Sequence, residues 1–269
     1  MSVLQFDTIA ALLDYVETLP WNPKGDESAK GGDDSIRFDF YGGCHATALR
    51  LARYGWPEGA AIASEKAARI ANRVVEATGA STYLAVEYDV IGAAYDAGAV
   101  ALGIPEAWGV LAPQEAKRAI RIVSNLGVSC GVGTNAIMHR GIAVAALAMA
   151  LTSRGYPVTI DLYAANGGCP NWALVRIADA ATGSQLDVDR IVYALAHPTF
   201  PRKLVRAANS GYRNGYSGDV WGAGAANADM KPPGEIDLFL GGMLYSQANR
   251  WQDGGEAWIL QEYLRQTGA

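Results

Sequence analysis

The residues best placed to do chemistry lie in one glycine-rich turn. Lys117-Arg-Ala-Ile-Arg-Ile-Val-Ser124 reads as a strand, and Gly127-Val-Ser-Cys-Gly-Val-Gly133 separates it from an almost wholly apolar helix predicted over 135–153. A strand-to-helix turn of this kind puts backbone N–H groups at a helix N-terminus, where open α/β sheets hold anions and other ligands. Residues 127–134 contain no lysine, which excludes a Walker A phosphate loop. Gly131-Val-Gly133 runs on into Thr134-Asn-Ala136 without the third glycine of a dinucleotide fingerprint. Two readings stay open: a flexible connector, and an anion or nucleotide cradle.

The other candidate groups are scattered. His45 follows Cys44, His139 precedes Arg140 at the start of the apolar helix, and His197 precedes Pro198; each reads as a packed or surface histidine. Cys44, Cys130 and Cys169 form no CxxC pair, which excludes a zinc knuckle and a disulfide framework and reads as free thiols in a reducing compartment. Asp187 and Asp189 are placed to cap a helix over 188–196. Arg202-Lys-Leu-Val-Arg206, with Arg213 nearby, reads as a solvated positive face rather than a nucleic-acid contact. From Ala207 to Pro233 the chain is dense in Gly, Asn, Ser and Ala and carries Tyr212, Tyr216 and Trp221. That pattern predicts a long exposed loop whose aromatics contact a partner.

These groups need a scaffold, and the hydrophobic pattern supplies one. Apolar residues from Phe6 to Leu19 recur at helical spacing with Asp7 as the expected N-cap. An irregular stretch over 21–34 precedes a predicted strand at 36–41, helices over 44–54 and 59–78, and a strand over 86–91. Further strands are predicted at 158–163, 173–178 and 236–240, with a last helix over 256–265. The alternation predicts an α/β fold: three layers around a mostly parallel sheet, Rossmann-like, with an N-terminal α-rich extension. The expected division is an α-rich region over 1–115 and an α/β domain over 116–269. A helix apolar nearly all round must be buried from two sides, here between the sheet and the N-terminal helices.

Composition narrows the function classes. Of 269 residues, 50% are hydrophobic, enough for a sizeable core, which excludes a disordered chain and a coiled coil. A net charge of −5 argues against nucleic acid as a partner. The longest strongly apolar run without a charge, 141–153, is shorter than the roughly 18 residues a membrane span needs, so a soluble protein with no membrane partner is expected.

Asn125-Leu-Gly-Val-Ser129 resembles, in position, the Asp-x-Ser-x-Ser metal motif of von Willebrand factor A-type domains. Asn125 stands for the aspartate, Gly127 for the first serine, and only Ser129 keeps its hydroxyl. Gly241-Gly242 ends the late strand, where the metal-binding version often has Thr-Asp-Gly. The second half is thus similar to a von Willebrand A-like domain with an eroded metal site. The resemblance implies no resident cofactor, with a magnesium-type ion held through Ser129 as the alternative. Together, Gly42-Gly-Cys-His-Ala-Thr-Ala-Leu-Arg-Leu-Ala-Arg-Tyr-Gly-Trp-Pro-Glu58, the segment from His139 and Leu186-Asp-Val-Asp-Arg-Ile-Val-Tyr-Ala-Leu-Ala-His-Pro198 resemble a bacteriophage-associated family of unknown function. That resemblance implies a viral or prophage origin, and with it the host cytoplasm or the virion.

The expected function is a non-enzymatic interaction or assembly module. It would meet a phage or host protein through the top of the sheet: Asn125, Gly127, Ser129, Gly131, Gly133 and Thr134, with Tyr212, Tyr216 and Trp221. The alternative is a nucleotide- or anion-binding enzyme using the Gly127–Gly133 turn.

Overall fold

In the computed structural model, the described residues are 2–21, 42–78, 86–89, 94–95, 97–105, 108–111, 117–129, 132–164, 171–182, 187–212, 231–243, 246, 251 and 255–267. The first part of the chain holds β1 (Ser2–Phe6), α1 (Ile9–Thr18), α2 (His45–Tyr54), α3 (Pro57–Thr78), β2 (Val86–Asp89), β3 (Ala94–Tyr95), α4 (Ala97–Ala101) and β4 (Trp108–Leu111). The second holds β5 (Ile120–Asn125), α5 (Thr134–Ser153), β6 (Val158–Ala164), β7 (Asn171–Ala178), α6 (Val188–Ala196), α7 (Arg206–Ser210), β8 (Leu238–Leu240) and α8 (Glu256–Thr267). The predicted strand at 36–41 lies outside the described residues.

The main sheet has the order β1-β7-β6-β5-β8. The pairs β1·β7, β5·β6 and β5·β8 are parallel and β6·β7 is antiparallel, so the sheet is mixed and mostly parallel, as the α/β pattern predicts. Strands β2, β4 and β3 make a separate antiparallel sheet.

Helix α5 runs through the middle. It shares one hydrophobic core with Ile122, Ile160 and Leu162 of the sheet and with Ala63 and Ile70 of α3, so it is enclosed from both sides. That core takes residues from both sides of the expected division, Ala63 and Ile70 before it and Ile122 after it. At 20 residues α5 is long and apolar enough to cross a membrane, longer than its charge-free run implies, but most of it is buried inside the protein. Its contact with α6 is close: a Cβ added at Gly141 would fall 2.2 Å from the Leu195 carbonyl oxygen and 2.3 Å from Ala196 Cα.

Among the described residues the two faces of the sheet differ in what packs on them. Ile122, Ile160, Leu162 and Val175 face the helices, while Val123, Tyr163, Leu174 and Phe239 form a smaller cluster to which no described helix adds a buried residue. Charge explains the difference. Asp161 on β6 is buried between two arginines, with Arg121 Nε 2.8 Å from Oδ2 and Arg176 Nε 2.9 Å from Oδ1. This face of the sheet therefore combines a buried ion group with a small buried apolar cluster.

Two local expectations are corrected. The N-terminal helix begins at Ile9, not Phe6, and its N-cap is Thr8, not Asp7: Thr8 Oγ1 accepts from Ala11 N at 3.0 Å. Residues before it form β1 because Ser2–Phe6 finds its hydrogen bonds along β7. The basic segment is not a solvated face. Phe200–Val205 winds as a π-helical turn into α7, burying Phe200, Lys203, Leu204, Val205, Ala207 and Ala208, so the start of the expected exposed loop is buried as well. Apolar residues at helical spacing decide the packing there, and the long cationic stems go along with them.

Gly141→Ala should lower unfolding free energy by at least about 2 kcal/mol in urea denaturation, because the backbone of α6 blocks the added methyl group. Gly133→Ala, where an added Cβ meets nothing within 4 Å, should stay within about 1 kcal/mol of wild type.

Candidate functional site

The C-terminal ends of β5 and β8 lie side by side, with Ser124 paired to Leu240. Beyond them the turn after β5 is fastened to the segment after β8. Val128 bridges Met243, Ser129 N donates to the Met243 carbonyl at 2.9 Å, and Met243 N donates to the Gly127 carbonyl at 2.7 Å. Asn125 is fully buried, and its Oδ1 accepts from Gly127 N at 2.8 Å, closing a tight Asx-type turn. Val132 N donates to the Ser129 carbonyl at 3.0 Å. The N–H groups of Gly127, Ser129 and Val132 are therefore engaged within the protein, which removes donors from an anion cradle in the turn.

The same rim gathers α7. Sheet direction places Ala164, the last residue of β6, at the end where β5 finishes. Asn209 Nδ2 donates to the Ala164 carbonyl at 3.4 Å, and Arg202 Nη2 donates to the Val132 carbonyl at 3.1 Å. Tyr212, 38% exposed, follows α7 directly. Of the sequence-predicted contact residues, Ser129 and Thr134 are half-buried, Gly133 is exposed, and Asn125 and Gly127 are buried. Gly131, Tyr216 and Trp221 lie outside the described residues.

Sequence reasoning passed over Arg140. It is the only Lys, Arg, Asp or Glu in α5, and that isolation was the available signal. The side chain is 6% exposed. Its Nη2 donates to Ser124 Oγ at 3.2 Å, to the Leu240 carbonyl at 3.1 Å and to the Gly241 carbonyl at 2.8 Å. Among the described residues it has no carboxylate partner, and burial pulls its pKa down to about 10, which still leaves it cationic at neutral pH. Arg140 lines a cleft of about 670 Å³ between β8 and α8, together with Lys231, Gly242, Trp251 and Trp258.

The histidines contact neighbouring backbone and aromatic rings. His139 Nδ1 lies 2.8 Å from the Trp251 carbonyl, which can only accept, so Nδ1 carries the proton. His197 Nδ1 accepts from Thr199 N at 3.3 Å and lies 2.9 Å from Thr199 Oγ1, with the Trp56 ring edge-on at 5.1 Å. His45 starts α2 with the Trp21 ring 6.4 Å away. Cys44 is exposed, with Sγ 3.3 Å from Thr47 Oγ1; Cys130 and Cys169 lie outside the described residues. Asp187 caps α6 as expected, accepting from Arg190 N at 3.2 Å.

Among the described residues no group of three or more His, Cys, Asp and Glu side chains is placed to hold a metal. At the turn, the Asn125 oxygen is already taken by Gly127 N. The donors present there do not fit a magnesium-type ion.

The fold and its rim define an α/β protein built on a five-stranded, mostly parallel mixed sheet. The chain belongs to the family described as Domain of unknown function (DUF7192), whose sequence model matches residues 1–267. No curated protein and no solved structure matches it.

Burial, and then the charge of Arg50, lower the His197 pKa from 6.5 to about 4. The unfolded chain thus binds the extra proton first as the medium is acidified. Stability should be full above pH 6.5 and fall toward pH 4, by at most about 1.4 kcal/mol per pH unit from this group. Urea denaturation at stepped pH should show that slope flattened in His197→Asn.

Proposed function

We propose that the chain is a non-enzymatic interaction module that meets a protein partner through the C-terminal rim of its sheet. The supporting observation is the joining of two separate segments at that rim. The 126–134 turn is hydrogen-bonded to Met243 on one side, and the segment carrying Tyr212 is tied to Val132 and Ala164 on the other. Such a surface is rigid where the backbone is fastened and carries an exposed aromatic at its border, a combination suited to partner contacts. A von Willebrand A-like origin of the second half belongs to the same reading, supported by the adjacency of β5 and β8, the strands bearing Asn125 and Gly241. So does service in a phage or prophage, with a phage or host protein as partner.

The anion-binding reading of the turn is less well supported, since Gly127, Ser129 and Val132 already spend their N–H groups.

A photo-crosslinking amino acid at Gly133, where there is open space for a side chain, tests the rim directly. A control variant carries it at Leu102, 79% exposed on another part of the chain. In lysate of the source cells, a discrete adduct is expected from position 133 and not from 102. Equal adducts from both, or none from 133, would refute the proposal.

A further inference from the structure

The cleft between β8 and α8 adjoins the rim, sharing Met243 with it, and carries its own chemistry. We propose that it binds a small organic oxyanion bearing a flat ring, with the carboxylate or phosphate group on Arg140 and the ring against Trp251 and Trp258.

The charge balance favours an anion. All three hydrogen bonds of Arg140 leave from Nη2, and its Nη1 and Nε make none among the described residues. Nη1 and Nε therefore keep charge-assisted donors for the oxygens of a carboxylate or phosphate. A buried cation held, among the described residues, only by neutral oxygens has a strong need for a counter-charge. The two acids on the cleft wall do not meet that need. Asp237 pairs with Arg118 and accepts from Arg121 N at 2.8 Å. Glu262 pairs with Arg265 and accepts from Gln266 Nε2 at 2.5 Å. Lys231 adds a second positive charge to the same wall, with Nζ 5.2 Å from the centre of the Phe239 ring.

Shape and aromatic content select a small ligand with a ring. A volume of about 670 Å³ falls in the usual range of small-molecule sites. The Trp251 and Trp258 rings meet edge-on at 4.6 Å. Trp251 is held in place by the His139 contact to its carbonyl and by Gly255, whose φ of +71° leaves room where a Cβ would fall 2.5 Å from Trp251 Cε3. An extended peptide is a poor fit. Gln266 accepts from Phe239 N at 2.8 Å and donates to Phe239 O at 2.9 Å, so this residue's backbone groups at the β8 edge are not open to an added strand.

Isothermal titration calorimetry of the full chain at low salt, with four probes, tests the site. Phenyl phosphate and benzoate carry both ring and anion, phenol lacks the charge, and inorganic phosphate lacks the ring. At least one of the first two should bind ten times or more tighter than phenol and inorganic phosphate, and the tighter of them identifies the anionic group. Arg140→Lys should weaken that probe at least about tenfold, because one ammonium cannot both replace the contacts of Nη2 and donate to the ligand. If Arg140→Lys does not fold, as read by circular dichroism, two milder variants decide. Lys231→Ala, at an exposed position, should weaken the charged probes about threefold; Trp258→Leu should weaken ring-bearing probes and spare inorganic phosphate. No heat from any probe up to about 10 mM would overturn the proposal, as would phenol matching the anions or binding unchanged in folded variants. Crosslinking at Gly133 reports on the rim alone, so the two proposals fail separately.

Discussion

Burying most of a twenty-residue helix takes its one charged side chain into the interior, and much of this structure follows from where that charge goes. Helix α5 is covered by the sheet, α3 and α6, and Arg140 is carried inside with it. A buried guanidinium without a carboxylate costs several kcal/mol unless its donors are satisfied. Its Nη2 finds Ser124 on β5 and the carbonyls of Leu240 and Gly241 at the end of β8. The same contacts hold the short edge strand β8 against β5 and set the position of the segment that Met243 then fastens to the turn. The charge thus organises the rim and opens onto the neighbouring cleft.

Around this centre the helices lock by backbone contact more than by side-chain bulk. Gly141 lets α5 touch the backbone of α6, and α6 is in turn bonded to the α2–α3 connection. Trp56 N donates to the Asp189 carbonyl at 3.0 Å, and the Tyr193 hydroxyl donates to the Ala48 carbonyl at 2.9 Å. The far face of the sheet is held differently, by Asp161 between Arg121 and Arg176. Removing one member of such a buried group leaves an unbalanced charge, so its worth is in fixing the register of β5, β6 and β7 more than in net stability.

What the sequence disclosed depended on how local the cause was. Helices α5 and α6 were legible to within a residue because their apolar spacing and the Asp187 cap are read within a single turn of chain. Strand β1 was not, because five residues gain strand character only by pairing with β7, far away in sequence. The 200–210 segment was misread because Arg202, Lys203 and Arg206 drew attention from the apolar spacing of Phe200, Leu204, Val205 and Ala208. At the rim, the turn was found from its glycines and its place between strand and helix. The engagement of its N–H groups was hidden, since Met243 lies more than a hundred residues on. Arg140 was visible as an isolated charge, but its acceptors on β8 are equally remote.

The seat of Arg140 is the point on which this account turns. A high-resolution crystal structure of the full chain should show Nη2 bonded to Ser124, Leu240 and Gly241, with Nη1 and Nε facing the cleft and no carboxylate of the chain within ion-pair distance. Density placing an Asp or Glu side chain against that guanidinium, or the guanidinium turned out into bulk solvent, would contradict it.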